Sequence, residues 1–132
     1  MAKILVVDDE PDVVEIVRFR LEKDGHTVIT ASDGQQGLAT AMSANPDLVV
    51  LDVMMPGIDG FEVAFQMKNN PRTVNTPVVM LTAKADIGSI GKGWSMDVDN
   101  YVTKPFNVDE LAQTVKAVLI HRGKISMDTL SG

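Results

Sequence analysis

The chain contains no cysteine. Disulfides, thiolate metal sites and cysteine nucleophiles are thereby excluded. Two histidines are too few for a histidine-rich zinc or iron centre. No apolar run approaches the roughly 20 residues that a membrane-spanning helix needs, so no membrane association is expected. Basic charge is also short: 12 Lys and Arg stand against 18 Asp and Glu, a formal net charge of −6. With no basic stripe to overcome that balance, direct nucleic-acid binding by this segment is not expected. The opening Met-Ala-Lys-Ile-Leu runs straight into a strand-like segment without a cleavable leader pattern. These absences together point to a soluble, cytoplasmic protein.

What is present is a chain of 132 residues that is 45% hydrophobic, enough for one domain with a single sizeable core. Short apolar runs at Ile4–Val7, Thr27–Thr30, Leu48–Leu51, Val78–Leu81 and Tyr101–Val102 alternate with longer amphipathic stretches. Nearly continuous Val, Ile and Leu suits parallel strands buried on both faces. A first helix is predicted from Pro11, with Val14, Val17 and Leu21 at helical spacing and Gly25 as its stop. A second fits Ser32–Asn45, with Leu38, Ala41 and Met42 inward and Pro46 behind it. A third fits Gly60–Lys68 after Asp59, with Glu62 in a capping-box relation. A weaker helix is expected over Ala85–Ser95, because Gly88, Gly91 and Gly93 each cost roughly 1 kcal/mol there. The last helix, Val108 to His121, follows Asn107 with Glu110 placed like Glu62, and its apolar face is Leu111, Val115, Val118 and Leu119. Lys124–Gly132 is polar and aperiodic, which reads as a frayed tail or the start of a linker. The expected division is a domain over 1–122 and a tail over 123–132.

Strict strand–helix alternation implies an α/β fold, a three-layer sandwich with helices on both faces of a parallel sheet. For five such units the flavodoxin-like strand order 2-1-3-4-5 is expected, with the ligand site at the strand C-termini beside the switch point. Polar residues stand just past the apolar runs: Asp8 and Asp9 after the first, Asp52 after the third, Thr82 after the fourth and Lys104 after the fifth. A single strand-end Asp is usually a solvated turn residue; five suitable groups on one sheet edge are harder to dismiss. Three carboxylates in one small space repel, so one protonates or a cation sits among them. All-oxygen ligation favours a hard cation, and Mg²⁺ suits one or two carboxylates plus waters and a phosphate oxygen, whereas Ca²⁺ needs more ligands. Cation, ammonium and hydroxyl together are what a transferring phosphoryl group requires. A carboxylate can be the nucleophile, and Asp52 lies centrally between the acidic pair and the Thr–Lys pair.

The blocks VVDDEPD at 6–12, LDVMMPGIDG at 51–60, VVMLTAK at 78–84 and YVTKPF at 101–106, in this order and spacing, resemble the response-regulator receiver domains of two-component signalling, the CheY-like family. The likeness spans about residues 3 to 121. It implies that Asp52 accepts a phosphoryl group from a histidine kinase or a phosphotransfer protein. It implies that Asp8 and Asp9 bind Mg²⁺ (Mn²⁺ as a substitute) with Asp52 and the backbone carbonyl of Met54. Thr82 corresponds to the switch hydroxyl, Ala83 to the small residue that leaves room for the phosphoryl group, and Lys104 to the phosphate-contacting lysine. The Lys104–Pro105 bond corresponds to one that is often cis, and Tyr101 to the aromatic that turns inward. The chain is then a signalling switch that catalyses only its own phosphorylation and dephosphorylation. Its output surface combines the 85–95 segment, the fifth strand and the last helix, acting on an unknown partner or a fused effector, or through a phosphorylation-dependent homodimer. Two departures stand in that region: Asp97-Val98-Asp99 replaces the family's Gly-Ala-Asp run, and a glycine-containing stretch with Trp94 precedes it.

Plainer readings stand beside these. Tyr101 has the pattern of a half-buried strand aromatic, Trp94 that of a packing residue, and Met54, Met55, Met67, Met80 and Met96 that of core filler. His26 and His121 are expected at the surface. Gly57 and Gly60 suit loop geometry beside the site. A haloacid-dehalogenase-like phosphatase also uses a strand-end Asp, but it needs a second Asp two residues on, where this chain has Met54. A flavodoxin-like cofactor binder needs small hydroxyl residues after the first strand, where Asp8-Asp9-Glu10 repels a phosphate.

Overall fold

A computed structural model describes residues 2–83 and 98–126. The helix expected over Ala85–Ser95, with Lys84, Trp94, Met96 and Asp97, lies outside the described residues. The apolar runs form strands β1 (Lys3–Val7), β2 (Thr27–Ala31), β3 (Leu48–Asp52), β4 (Val78–Ala83) and β5 (Asn100–Lys104). The amphipathic stretches form helices α1 (Pro11–Lys23), α2 (Gly34–Ala44), α3 (Gly60–Lys68) and α4 (Val108–His121).

Local chemistry sets the helix bounds. Pro11 opens α1, Asp12 lies in its first turn, and Arg20 and Lys23 lie in its last, complementing the helix dipole. Gly25 at φ +95° takes the chain out into β2. Helix α2 is shorter than Ser32–Asn45. The Asp33 carboxylate accepts from the Gln36 N–H at 2.7 Å, and the Gln36 side chain accepts from the Ser32 N–H at 2.7 Å, so Asp33 is the cap. Asn45 ends the helix in the left-handed region at φ 51°. Asp59 caps α3 through the Glu62 N–H. Asn107 caps α4 through the Asp109 N–H rather than that of Glu110. Strand β5 is longer than the apolar pair Tyr101–Val102, because pairing with β4 recruits Asn100, Thr103 and Lys104 to the ladder.

All strand pairs are parallel and the order is β2-β1-β3-β4-β5, the flavodoxin-like arrangement expected. Alternate strand residues enter opposite cores. Ile4, Val6, Leu48, Val50, Val79 and Leu81 pack with Val17 and Leu21 of α1 and Leu111, Val115 and Leu119 of α4. Leu5, Val7, Val49, Leu51, Val78 and Met80 pack with Leu38 and Ala41 of α2 and Val63, Ala64 and Met67 of α3. Every residue of β3 is buried, so the sheet's centre is fixed on both faces.

The expectation that His26 lies at the surface is corrected. His26 is buried, 8% exposed. The Ala2 N–H donates to its Nδ1 at 3.4 Å, and burial pulls its pKa down. Its position between a helix stop and a strand carried no sign of this contact, which comes from Ala2, just ahead of β1. Past α4, residues 123–125 keep contact with the domain. Gly123 turns at φ +71°, the Lys124 N–H donates to the Leu119 carbonyl at 2.8 Å, and Ile125 packs against the α1–α4 core.

Gly60 links this scaffold to the strand ends. A Cβ there would lie 2.3 Å from the Asp52 carbonyl oxygen and 2.9 Å from Val53 Cα, both backbone atoms. The Gly60 N–H also donates to the Val53 carbonyl at 2.9 Å. Only glycine lets α3 start this close to the end of β3. Gly57 is different: open space surrounds it and its φ of +77° is the constraint. Gly60→Ala is expected to cost about 2–4 kcal/mol in urea unfolding, whereas Gly57→Asn, a residue that tolerates a left-handed conformation, costs about 1 kcal/mol or less.

Candidate functional site

The sheet register brings the expected residues to one edge. Val7 pairs with Leu51, so Asp8 follows β1 beside Asp52. Asp52 pairs with Leu81, one residue before Thr82, and Ala83 pairs with Lys104. Asp8, Asp52 and Thr82 are all at most 3% exposed, while Asp9 and Glu10 are exposed. Asp8 Oδ1 accepts from the Glu10 N–H at 2.9 Å, which bends the chain over the edge and into α1. Asp52 Oδ1 accepts from the Met54 N–H at 3.3 Å.

Lys104 joins the carboxylates. Its Nζ lies 3.0 Å from Asp8 Oδ2, 3.3 Å from Asp52 Oδ2 and 3.2 Å from Glu10 Oε1. The peptide bond that follows, Lys104–Pro105, is cis, as expected. Asp8, Asp9, Glu10 and Asp52 each offer a carboxylate oxygen, all within 4.8 Å of one another. Glu10 was not among the expected site residues. Its adjacency to the acidic pair was the available signal, but an exposed Glu ahead of a helix reads equally as a dipole-complementing residue.

Crowding shows in the protonation equilibria. Burial and then the charge of Asp8 push the Asp52 carboxyl up from 3.8 to about 6, against the opposing pull of Lys104. Burial draws the Lys104 ammonium down, but the Asp8 hydrogen bond, the Asp8 and Asp52 charges and the Glu10 bond together leave it raised. Four carboxylates with one ammonium leave net negative charge in a partly buried space. The donor set is all oxygen, which fits a hard divalent cation such as Mg²⁺ and not a soft one.

The remaining expected residues are placed less directly. The Thr82 hydroxyl donates to the Ala83 carbonyl at 3.2 Å. Tyr101 is half-buried and packs against the α2–α3 core, and burial raises its pKa. Met54, expected as core filler, is 62% exposed, because the chain leaves β3 there and turns its side chain outward. Met55, Met67 and Met80 are buried as expected. His121 is exposed as expected.

The family model for the response regulator receiver domain matches residues 4–116. The chain belongs to that family. Among curated proteins, this receiver domain is similar to the DNA-binding dual master transcriptional regulator RpaA of a Synechocystis strain. Identity is 40% over 125 residues, covering 95% of this chain and 52% of that protein. It is also similar to the alkaline phosphatase synthesis transcriptional regulatory protein PhoP of Bacillus subtilis, 45% identical over 117 residues, covering 89% of this chain and 48% of that protein. The chain thus spans about half the length of these curated relatives. Among solved structures it resembles the chemotaxis protein CheY4 of Vibrio cholerae, with a TM-score of 0.84 and 34% identity, covering 90% of this chain and 99% of that one. Among the described residues, no helix of the receiver is long and apolar enough to cross a membrane.

The raised Asp52 pKa carries a sign for stability. The folded state favours the protonated acid, so this group's contribution is full below about pH 4 and is lost as pH rises through about 6. Moving the carboxyl from 3.8 to about 6 corresponds to roughly 3 kcal/mol. With divalent cations chelated, Asp52→Asn is therefore expected to raise stability at pH 7.5 by about 1–3 kcal/mol, with the gain vanishing near pH 4. Urea unfolding across that pH range measures it. A variant no more stable than the parent at pH 7.5 contradicts the crowding.

Proposed function

We propose that this receiver is switched by phosphorylation of Asp52. The carrying observation is a buried Asp52 carboxylate beside that of Asp8, with the Lys104 ammonium in contact with both. A carboxylate oxygen of Asp52 attacks the phosphorus of a phosphohistidine on a sensor kinase or phosphotransfer protein. The new P–O bond forms as the P–N bond breaks, and the leaving imidazole nitrogen keeps the electron pair and takes up a proton. Asp8, Asp9, Asp52 and the Met54 carbonyl are the groups that would hold Mg²⁺, which when bound neutralises charge on the phosphoryl oxygens. Lys104 supplies a second positive charge, and Ala83, with only a methyl group, leaves room for the transferred group. The Thr82 hydroxyl then exchanges its local bond to the Ala83 carbonyl for a phosphoryl oxygen, and Tyr101 follows inward. That is a population shift driven by contacts available in only one state.

A recess of about 430 Å³ beside Lys104, lined by Val13, Ile16, Phe106 and Val108, offers apolar surface to a phosphodonor protein approaching Asp52. Relatives named as transcriptional regulators support an output in gene control, exerted by a fused effector or by a phosphorylation-dependent homodimer. With Mg²⁺ and a small phosphodonor, the protein is expected to gain one phosphoryl group by intact mass. Asp52→Asn gains none, and a chelator abolishes the reaction. Labelling of Asp52→Asn to the parent's stoichiometry overturns the assignment.

A further inference from the structure

Arg122, the first residue after α4, is bound far from that helix's own partners. Its Nη1 donates to Asp99 Oδ2 at 2.6 Å and its Nη2 to the Asn75 carbonyl at 2.8 Å. The Asp99 side chain is 13% exposed and that of Arg122 28%, so water screens the pair little. Asp99 is itself doubly tied to the first residue of β4. Its N–H donates to the Val78 carbonyl at 2.9 Å, and its Oδ1 accepts from the Val78 N–H at 3.0 Å. Asp99, the residue ahead of β5, therefore bonds both the start of β4 and the exit of α4 through its carboxylate. Past Arg122 the chain is held further. The Gly123 turn sets its direction, the Lys124 N–H bonds Leu119, and Ile125 docks on the core.

We propose that Asp99 and Arg122 are a latch coupling the chain's departure from α4 to the N-terminal ends of β4 and β5. The same strand pair presents Thr82, Ala83 and Lys104 at its other end. A displacement of the pair along its axis or about its twist reaches Asp99, and through Arg122 it re-aims residues 122–126, which lead to the remaining chain. The opposite also holds: a load on that exit acts back on the strands, because coupling between two sites is reciprocal. The latch rests on the phosphorylation reading only for its trigger.

Amide exchange by NMR tests it on the full chain. Asp99→Asn, which keeps an oxygen for the Val78 N–H, is expected to speed exchange at Lys124 and Ile125 by about tenfold, the loss of one charge-assisted bond. Arg122→Ala is expected to do the same at Val78 and Asp99, and the double variant to add little to either. Leu5 and Val50 in the central strands stay unchanged, as does everything in Arg18→Ala, which removes an exposed pair. Uniform acceleration across the sheet, or none at the far end, overturns the latch. Beryllofluoride with Mg²⁺ supplies the second arm. It is expected to shift the Lys124 and Ile125 amides of the parent but not those of Arg122→Ala, while residues beside Asp52 respond in both. A response beside Asp52 alone overturns the coupling. No response beside Asp52 in either protein counts against the phosphoacceptor reading instead, and the mutational arm still decides the latch.

Discussion

Lys104 contacts three carboxylates from two segments of the chain, and the arrangement of the strand ends follows from that contact. Asp8 and Asp52 are buried beside each other because β1 and β3 are adjacent at the centre of the sheet. Neither strand can move without dismantling a core on both faces. Two buried carboxylates at such range are unfavourable unless positive charge stands between them. The lysine arrives from the edge strand, the position in the sheet least constrained by packing. The site thus places its fixed negative charge on rigid elements and its compensating charge on a more exposed one. This division suits the proposed switch, in which Asp52 would stay in place while the edge strand responds to added charge.

The fold was legible because its signals are local. Nearly unbroken Val and Leu runs mark doubly buried strands, Asp59 and Pro11 mark helix starts, and strict alternation leaves few topologies. The site was legible for a related reason. In a parallel sheet all strand C-termini share one edge, so Asp8, Asp52, Thr82 and Lys104 had to converge. What escaped depends on contacts between distant segments. His26 is buried and bonded to Ala2, 24 residues away, which no feature near residue 26 reveals. Glu10 joins the carboxylate group only because Lys104 reaches it from 94 residues away. Ile125 docks on a core built from α1 and α4, although its own neighbours are polar. Met54 errs the other way: hydrophobic by type, it sits where the chain has just left the sheet. Gly60 was read as a loop residue, whereas its requirement is a backbone contact with the strand that carries Asp52.

Of the two departures from the family pattern, only Val98 and Asp99 of the first lie among the described residues. Asp99 is a structural junction, bonded to Val78 through its own backbone and side chain and to Arg122 through its second oxygen. Val98 packs against the α2–α3 core, so a larger residue at a small-residue position is accommodated by burial. Under the proposed latch, the relation between site and output would run through the body of β4 and β5.

The central claim is that Asp52 owes its chemistry to a buried, crowded carboxylate whose charge a divalent cation relieves. Its carboxyl carbon, followed by NMR through a pH titration with and without Mg²⁺, tests this directly. The account predicts an apparent pKa near 6 with a chelator present and a fall below the ordinary 3.8 once Mg²⁺ is added. An Asp52 that titrates at its ordinary value and ignores Mg²⁺ would contradict it.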